Sequence, residues 1–116
     1  MNLEEIREYC LSKEFCTEDT PFGPDTLVFR IAGKIFGLTS LESEECRINL
    51  KCEPDYAIEL REKYNFILPG FHMNKIHWNT VLADNAPSIL LKELIDHSYE
   101  RVKNALSKKE KEMLNN

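Results

Sequence analysis

LVFRIAGKIFGLTS, Leu27 to Ser40, holds two apolar, β-rich runs around Ala32-Gly33. Branched and aromatic side chains of this kind suit a pleated, half-buried surface. If Ala32 and Gly33 form a two-residue turn, Ile31 faces Lys34, Phe29 faces Phe36 and Leu27 faces Leu38. One face then carries Leu27, Phe29, Ile31, Phe36 and Leu38, and the other carries Arg30 and Thr39. Because the register places the hydrophobic set on a single side, the stretch predicts an antiparallel hairpin.

CRINLKC, Cys46 to Cys52, extends the pattern. Cys46, Ile48, Leu50 and Cys52 point one way, and Arg47, Asn49 and Lys51 the other, as in a strand with one wet face. WNTVLA, from Trp78, alternates again and predicts a last strand with Trp78, Thr80 and Leu82 on one side; the large indole is expected in the core. Before it, FILPGF reads as a short extended piece turned sharply at Pro69-Gly70.

Helices bracket these runs. Asn2 can cap a helix with Leu3, Ile6 and Cys10 on its apolar stripe, fading near Glu14. TEDTPFGPD, Thr17 to Asp25, is a cluster of turn formers, and LESEE, Leu41 to Glu45, is a loop. Pro54 suits the first position of a helix running to about Tyr64. From Pro87 to about Leu106, Leu91, Leu94, Ile95, Ser98, Tyr99 and Val102 mark the longest helix. Residues 107–116 are charged and expected to fray. The order is helix, three strands, helix, one or two strands, helix. It predicts a single α+β domain over residues 1–116, with an antiparallel sheet of four to five strands flanked by helices.

Composition narrows function. At 116 residues, 42% hydrophobic and 30% charged, the chain is ordinary for one folded domain. No apolar run approaches the roughly 20 residues of a membrane helix, so no membrane partner is expected. The acidic, amphipathic start does not read as a targeting segment, and the expected location is the cytoplasm. Cys10, Cys16, Cys46 and Cys52 form no Cys-x-x-Cys pair and read as reduced core thiols. The four glycines make no phosphate-binding loop, and no cofactor is expected. Net charge is −5, which weighs against a sequence-independent grip on DNA. The charge is uneven: residues 1–60 hold 6 basic and 13 acidic side chains, residues 61–116 hold 9 and 7.

PGFHMNKIHWNTVL, Pro69 to Leu82, concentrates the polar chemistry. His72 and His77 are five apart, a spacing that fits one face of neither helix nor strand, and no carboxylate lies between them. A metal site is not expected. No serine has a nucleophile-elbow context, so no hydrolytic triad is expected either. Asn74 and Asn79 suit the satisfaction of loop backbone groups. Arg30, Arg47, Asn49 and Lys51 on the outer sheet face, with Lys75 and both histidines, could instead meet phosphates or base edges.

Over essentially its whole length the chain resembles the MmcQ/YjbR-like family of small bacterial proteins. The resemblance rests on MNLEEIREYCLS, RINLKCEPDYAIELRE, PGFHMNKIHWNTV and LLKELIDHSYE. It implies an α+β fold of the secretion-chaperone-like type, and the family label of DNA-binding through a double-wing arrangement of strands. It carries no catalytic residues. His72, Met73, Asn74, Lys75, His77, Trp78 and Asn79 match the family signature, with Asn49 and Lys51 in the similar strand motif. Met73, Trp78 and Asn79 are expected to be structural. Ile76 stands where many relatives place a second basic residue, which removes a charge from the surface.

The expected function is therefore non-enzymatic, weak and salt-sensitive DNA contact. It would use the polar sheet face and the 72–79 loop: Arg30, Arg47, Asn49, Lys51, His72, Asn74, Lys75 and His77. A protein-interaction or chaperone-like module is the alternative, and a small-ligand enzyme using His72 or His77 comes third.

Overall fold

In a computed structural model that describes residues 1–114, the elements are α1 (Leu3–Leu11), β1 (Cys16–Asp19), β2 (Thr26–Ile31), β3 (Lys34–Ser40), β4 (Arg47–Lys51), α2 (Pro54–Lys63), β5 (Ile67–Pro69), β6 (Trp78–Leu82), α3 (Ser88–Asn104) and α4 (Lys108–Leu114). The strands form one antiparallel sheet in the order β1-β2-β3-β4-β6-β5.

The hairpin forms where the sequence places it. Ala32 and Gly33 both take positive φ, 49° and 80°, the turn geometry whose twist matches the flanking strands. Ile31 lies opposite Lys34, but the register then shifts between Phe29 and Arg30. Phe29 pairs with Gly37 and Val28 with Leu38, so the expected Phe29–Phe36 and Leu27–Leu38 pairings are displaced by one residue. This β-bulge sends the rest of β3 to the opposite side from that expected. Gly37 follows Phe36 on the inner face, where a Cβ would lie 3.3 Å from the Phe29 ring. Leu38 faces outward beside Val28. Thr39 turns inward, 2% exposed, and its hydroxyl donates to the Arg47 carbonyl at 2.6 Å.

Leu27, Thr39, Ile48, Val81 and Ile67 make one inner row across five strands. Ile6 and Cys10 of α1 and Leu91, Leu94, Ile95, Tyr99 and Val102 of α3 join them in one buried core. The outer row is Val28, Leu38, Asn49, Thr80 and Leu68.

Three further expectations change. TEDTPFGPD is not all turn: Thr17, Glu18 and Asp19 belong to β1, a sixth strand. As an edge strand it needs little apolar alternation, and charge holds it instead, Glu18 against Arg7 and Asp19 against Arg30 at 2.9 Å. Trp78 is not in the core. It lies on the outer face opposite Lys51, because a period of two says which side chains share a side, not which side is wet. Asn79 takes the inner place, 2% exposed; it accepts from Arg61 Nη1 at 2.8 Å and donates to the Ala57 carbonyl at 3.3 Å, tying α2 to β6. In the tail, α4 covers Lys108–Leu114. Ser107 and Glu110 cap it reciprocally at 2.9 and 3.1 Å, and Leu114 packs on the core. Asn115 and Asn116 lie outside the described residues.

The start of α2 is doubly held. The Glu53 carboxylate accepts the N–H groups of Asp55 and Tyr56 at 3.1 and 2.8 Å. The Glu53 N–H donates to His97 Nε2 at 3.1 Å, which requires that nitrogen unprotonated. Burial, and then the charge of Arg101, lower the His97 pKa. A depressed histidine contributes stability that is full above its unfolded pKa of about 6.5 and is lost as pH falls through the folded value. Thermal melts should therefore show acid destabilisation beginning below about pH 6.5, weaker in His97→Gln. An equal acid slope in both proteins would remove His97 from the account.

Candidate nucleic-acid interface

The sheet edges offer little to a partner strand. β1 carries two ion-paired carboxylates, and β5 is three residues long and ends in Pro69; charge and proline both discourage added strands. The outer face is left, and it is divided by the segment from Gly70 to His77.

That segment is pinned to the sheet. Thr80 Oγ1 accepts the Phe71 N–H at 2.8 Å and donates to Asn49 Oδ1 at 2.5 Å. Asn49 Nδ2 in turn donates to the Phe71 carbonyl at 3.1 Å. The Gly70 N–H reaches the Trp78 carbonyl at 2.8 Å, and the Trp78 N–H reaches the Asn74 carbonyl at 3.0 Å. Asn74 Oδ1 accepts the Ile76 N–H at 2.9 Å, a local bond that stabilises the turn.

Two grooves result. The first, about 480 Å³, lies at the turn end of the hairpin and is lined by Arg30, Gly33, Lys34, Ile35, Lys51, Trp78, Val102 and Ala105. Three cations and the single tryptophan meet there, and among the described residues no carboxylate belongs to the lining. Arg30 is already engaged, by Asp19 and by the Gly33 carbonyl at 2.9 Å. Lys34 lies 3.8 Å from Glu110 with its side chain 62% exposed. Lys51 makes no ion pair among the described residues. The second groove, about 500 Å³, runs between Phe22 and Phe71 over Thr26, Leu38, Ser40 and Asn49, with His72 and Met73 on its rim. Phe22 is 66% exposed and Phe71 57%. Its far end is acidic: Asp25 adjoins Thr26, the Glu42 backbone N–H donates to Ser40 Oγ at 3.4 Å, and the hydrogen bond with Asp25 raises the Glu42 pKa.

The eight candidate side chains thus separate. Arg30 and Lys51 line the basic groove. Asn49 and His72 line the apolar one, and Arg47 sits over the Phe71 ring at 5.9 Å while paired with Glu45 at 2.8 Å. Lys75 turns back to the Gly70 carbonyl at 3.3 Å, and Asn74 is spent on its turn. His72, at φ 59°, lies against Phe71 with ring centroids 4.2 Å apart. The His77 carbonyl receives the Cys52 N–H at 2.8 Å, and its Nδ1 is buried without a partner.

Lys34, Ile35, Phe22 and Phe71 had no signal as site residues. Lys34 looked like a turn flank, and Phe22 sat among turn formers. Among the described residues no three His, Cys, Asp or Glu side chains cluster to hold a metal ion, and no helix is long and apolar enough to cross a membrane. The four thiols are unbridged, and burial pushes Cys16 and Cys52 up to about 11.

The YjbR family model matches residues 11–101. The chain belongs to the YjbR family. Among YjbR relatives, it is 37% identical over 108 residues to the uncharacterised protein YbdF of Escherichia coli O157:H7, covering 92% of this chain and 88% of that one. It is 25% identical over 115 residues to the uncharacterised protein YjbR of Escherichia coli K12, covering 98% of each. The crystal structure of Deinococcus radiodurans protein DR2400, a DUF419 domain, superposes with TM-score 0.91 at 33% identity, over 98% of this chain and 88% of that one. A Pseudomonas syringae crystal structure superposes with TM-score 0.74 at 30% identity, over 84% and 96%. The YjbR fold is thus shared along the chain, including the sheet and helices that frame both grooves.

Proposed function

We propose that this YjbR protein is a non-enzymatic cytoplasmic nucleic-acid-binding domain that makes weak, salt-sensitive contact through the turn end of its outer sheet face. The carrying observation is the basic groove: Lys34, Lys51 and Arg30 gather beside Trp78 on a chain of net charge −5, and of the three Lys51 makes no ion pair among the described residues. Lysine ammonium groups meet phosphates as point charges, and each contact releases counterions. Asn49, Asn74 and Lys75 hold the 70–77 segment in place rather than read bases, since both polar atoms of Asn49, the Asn74 Oδ1 and the Lys75 Nζ already have protein partners.

Fluorescence anisotropy with duplex and single-stranded DNA at two salt concentrations tests this. Two or three phosphate contacts predict affinity falling roughly sevenfold to twentyfold for a single strand, and roughly twelvefold to fortyfold for a duplex, between about 50 and 200 mM salt. Lys34→Ala with Lys51→Ala should flatten that dependence, whereas Lys75→Ala should change it little. Absence of binding at low salt, or binding indifferent to Lys34 and Lys51, would sink the proposal.

A second reading draws on the other groove. The exposed Phe22 and Phe71 over Leu38 form the kind of apolar surface that protein partners cover, which supports an interaction module.

A further inference from the structure

Resting on that reading, we infer that the nucleic acid bound is an unpaired strand, with one base stacked on Trp78 and its neighbouring phosphates on Lys51 and Lys34.

The main chain of Trp78 is held before any ligand arrives. Its backbone N–H donates to the Asn74 carbonyl at 3.0 Å and its carbonyl accepts the Gly70 N–H at 2.8 Å, and Lys51 is its cross-strand partner. Gly70 presses so closely that a Cβ there would lie 2.7 Å from the Trp78 Cβ. The indole is half-buried and lines the groove, so part of its ring faces the cleft. A half-buried side chain loses less rotamer entropy than a fully exposed one when a base settles on it.

The groove's shape decides between strand types. Arg30 and Ile35 are cross-strand partners on β2 and β3, and Lys51 and Trp78 on β4 and β6; between the two pairs the β3–β4 ladder has already ended, which opens the groove. Val102 and Ala105 near the end of α3 wall it on one side and the hairpin turn on another, leaving a cleft rather than an open plane. A duplex keeps the faces of its bases stacked inside, whereas an unpaired strand presents them. Arg101 and Lys103 in the last turn of α3 offset the negative end of that helix, and Glu110, 3.8 Å from Lys34, is the carboxylate a phosphate would displace. The acidic Asp25–Glu42 end lies beyond the other groove and confines the anion to the turn end.

The intrinsic fluorescence of Trp78, the single tryptophan, reads the stacking directly. The probes are oligothymidylate, oligouridylate, an abasic strand of the same length and a blunt duplex. Anisotropy of the same labelled strands measures total binding. Both base-bearing strands should quench Trp78 saturably; the abasic strand and the duplex should bind about tenfold more weakly with little quenching. The ratio between thymidylate and uridylate tells DNA from RNA, and either preference fits. Trp78→Phe, checked for fold by circular dichroism, should bind oligothymidylate several-fold more weakly while its salt dependence is kept. Duplex binding as tight as single-strand binding, or abasic binding as tight as thymidylate binding, overturns this inference and leaves nucleic-acid binding standing. No anisotropy change with any probe at low salt overturns both.

Discussion

Ser98→Ala is expected to lower stability by about 2–4 kcal/mol, since it orphans one buried and one half-buried backbone group. Ser98 is fully buried on α3. Its hydroxyl donates to the Phe36 carbonyl at 2.6 Å and accepts the Lys51 N–H at 2.9 Å. The bulge makes this necessary. The β3–β4 ladder stops at the pair Gly37–Leu50, so the next backbone groups, on Phe36 and Lys51, meet through a helix side chain. One hydroxyl thus locks α3 to two strands and sets the backbone of Lys51. Urea unfolding should show the loss as a lower midpoint at unchanged slope, while Ser88→Ala, exposed on the same helix, stays within about 0.5 kcal/mol. A Ser98→Ala cost below about 0.5 kcal/mol would mean that the bridge holds nothing.

Gly70→Ala should cost about 1–3 kcal/mol by overpacking and should also dislodge the candidate interface. The added methyl would meet the Trp78 Cβ at 2.7 Å and the Trp78 carbonyl oxygen at 2.8 Å. Neither atom can swing aside as the tip of a flexible side chain can, so the strand or the loop must move. The loop is the weaker party, because Phe71 is its main anchor, through Thr80 and Asn49. Amide resonances of residues 71–78 should shift together in Gly70→Ala, and Trp78 fluorescence should change. A neutral substitution with an unmoved loop would show that the close approach does not exist in solution.

The hairpin, the three long helices and the alternating strands were legible because each follows a simple period. All six residues picked from the Pro87–Leu106 periodicity are the ones α3 buries, Ser98 included. The bulge was not legible, because Phe36-Gly37-Leu38 alternates in no way that marks an extra residue. Leu38 therefore changed sides. Edge strand β1 escaped because polar residues at an edge are held by ion pairs from Arg7 and Arg30, which no local pattern announces. At the site, Arg30 and Lys51 were visible as outward cations of strands, but Lys34 and Trp78 became their neighbours only through register. Likewise, the division of the polar residues between a pinned loop and a free groove depends on hydrogen bonds from Thr80, a residue with no distinguishing spacing.

The measurement that bears most directly on the account is an amide and indole chemical-shift titration of the uniformly labelled protein with oligothymidylate at low salt. Saturable shifts are expected at Lys34, Ile35, Lys51 and the Trp78 indole N–H, with Phe22, Leu38 and Met73 unmoved. Shifts centred on the Phe22–Phe71 groove, or none at any concentration, would contradict it.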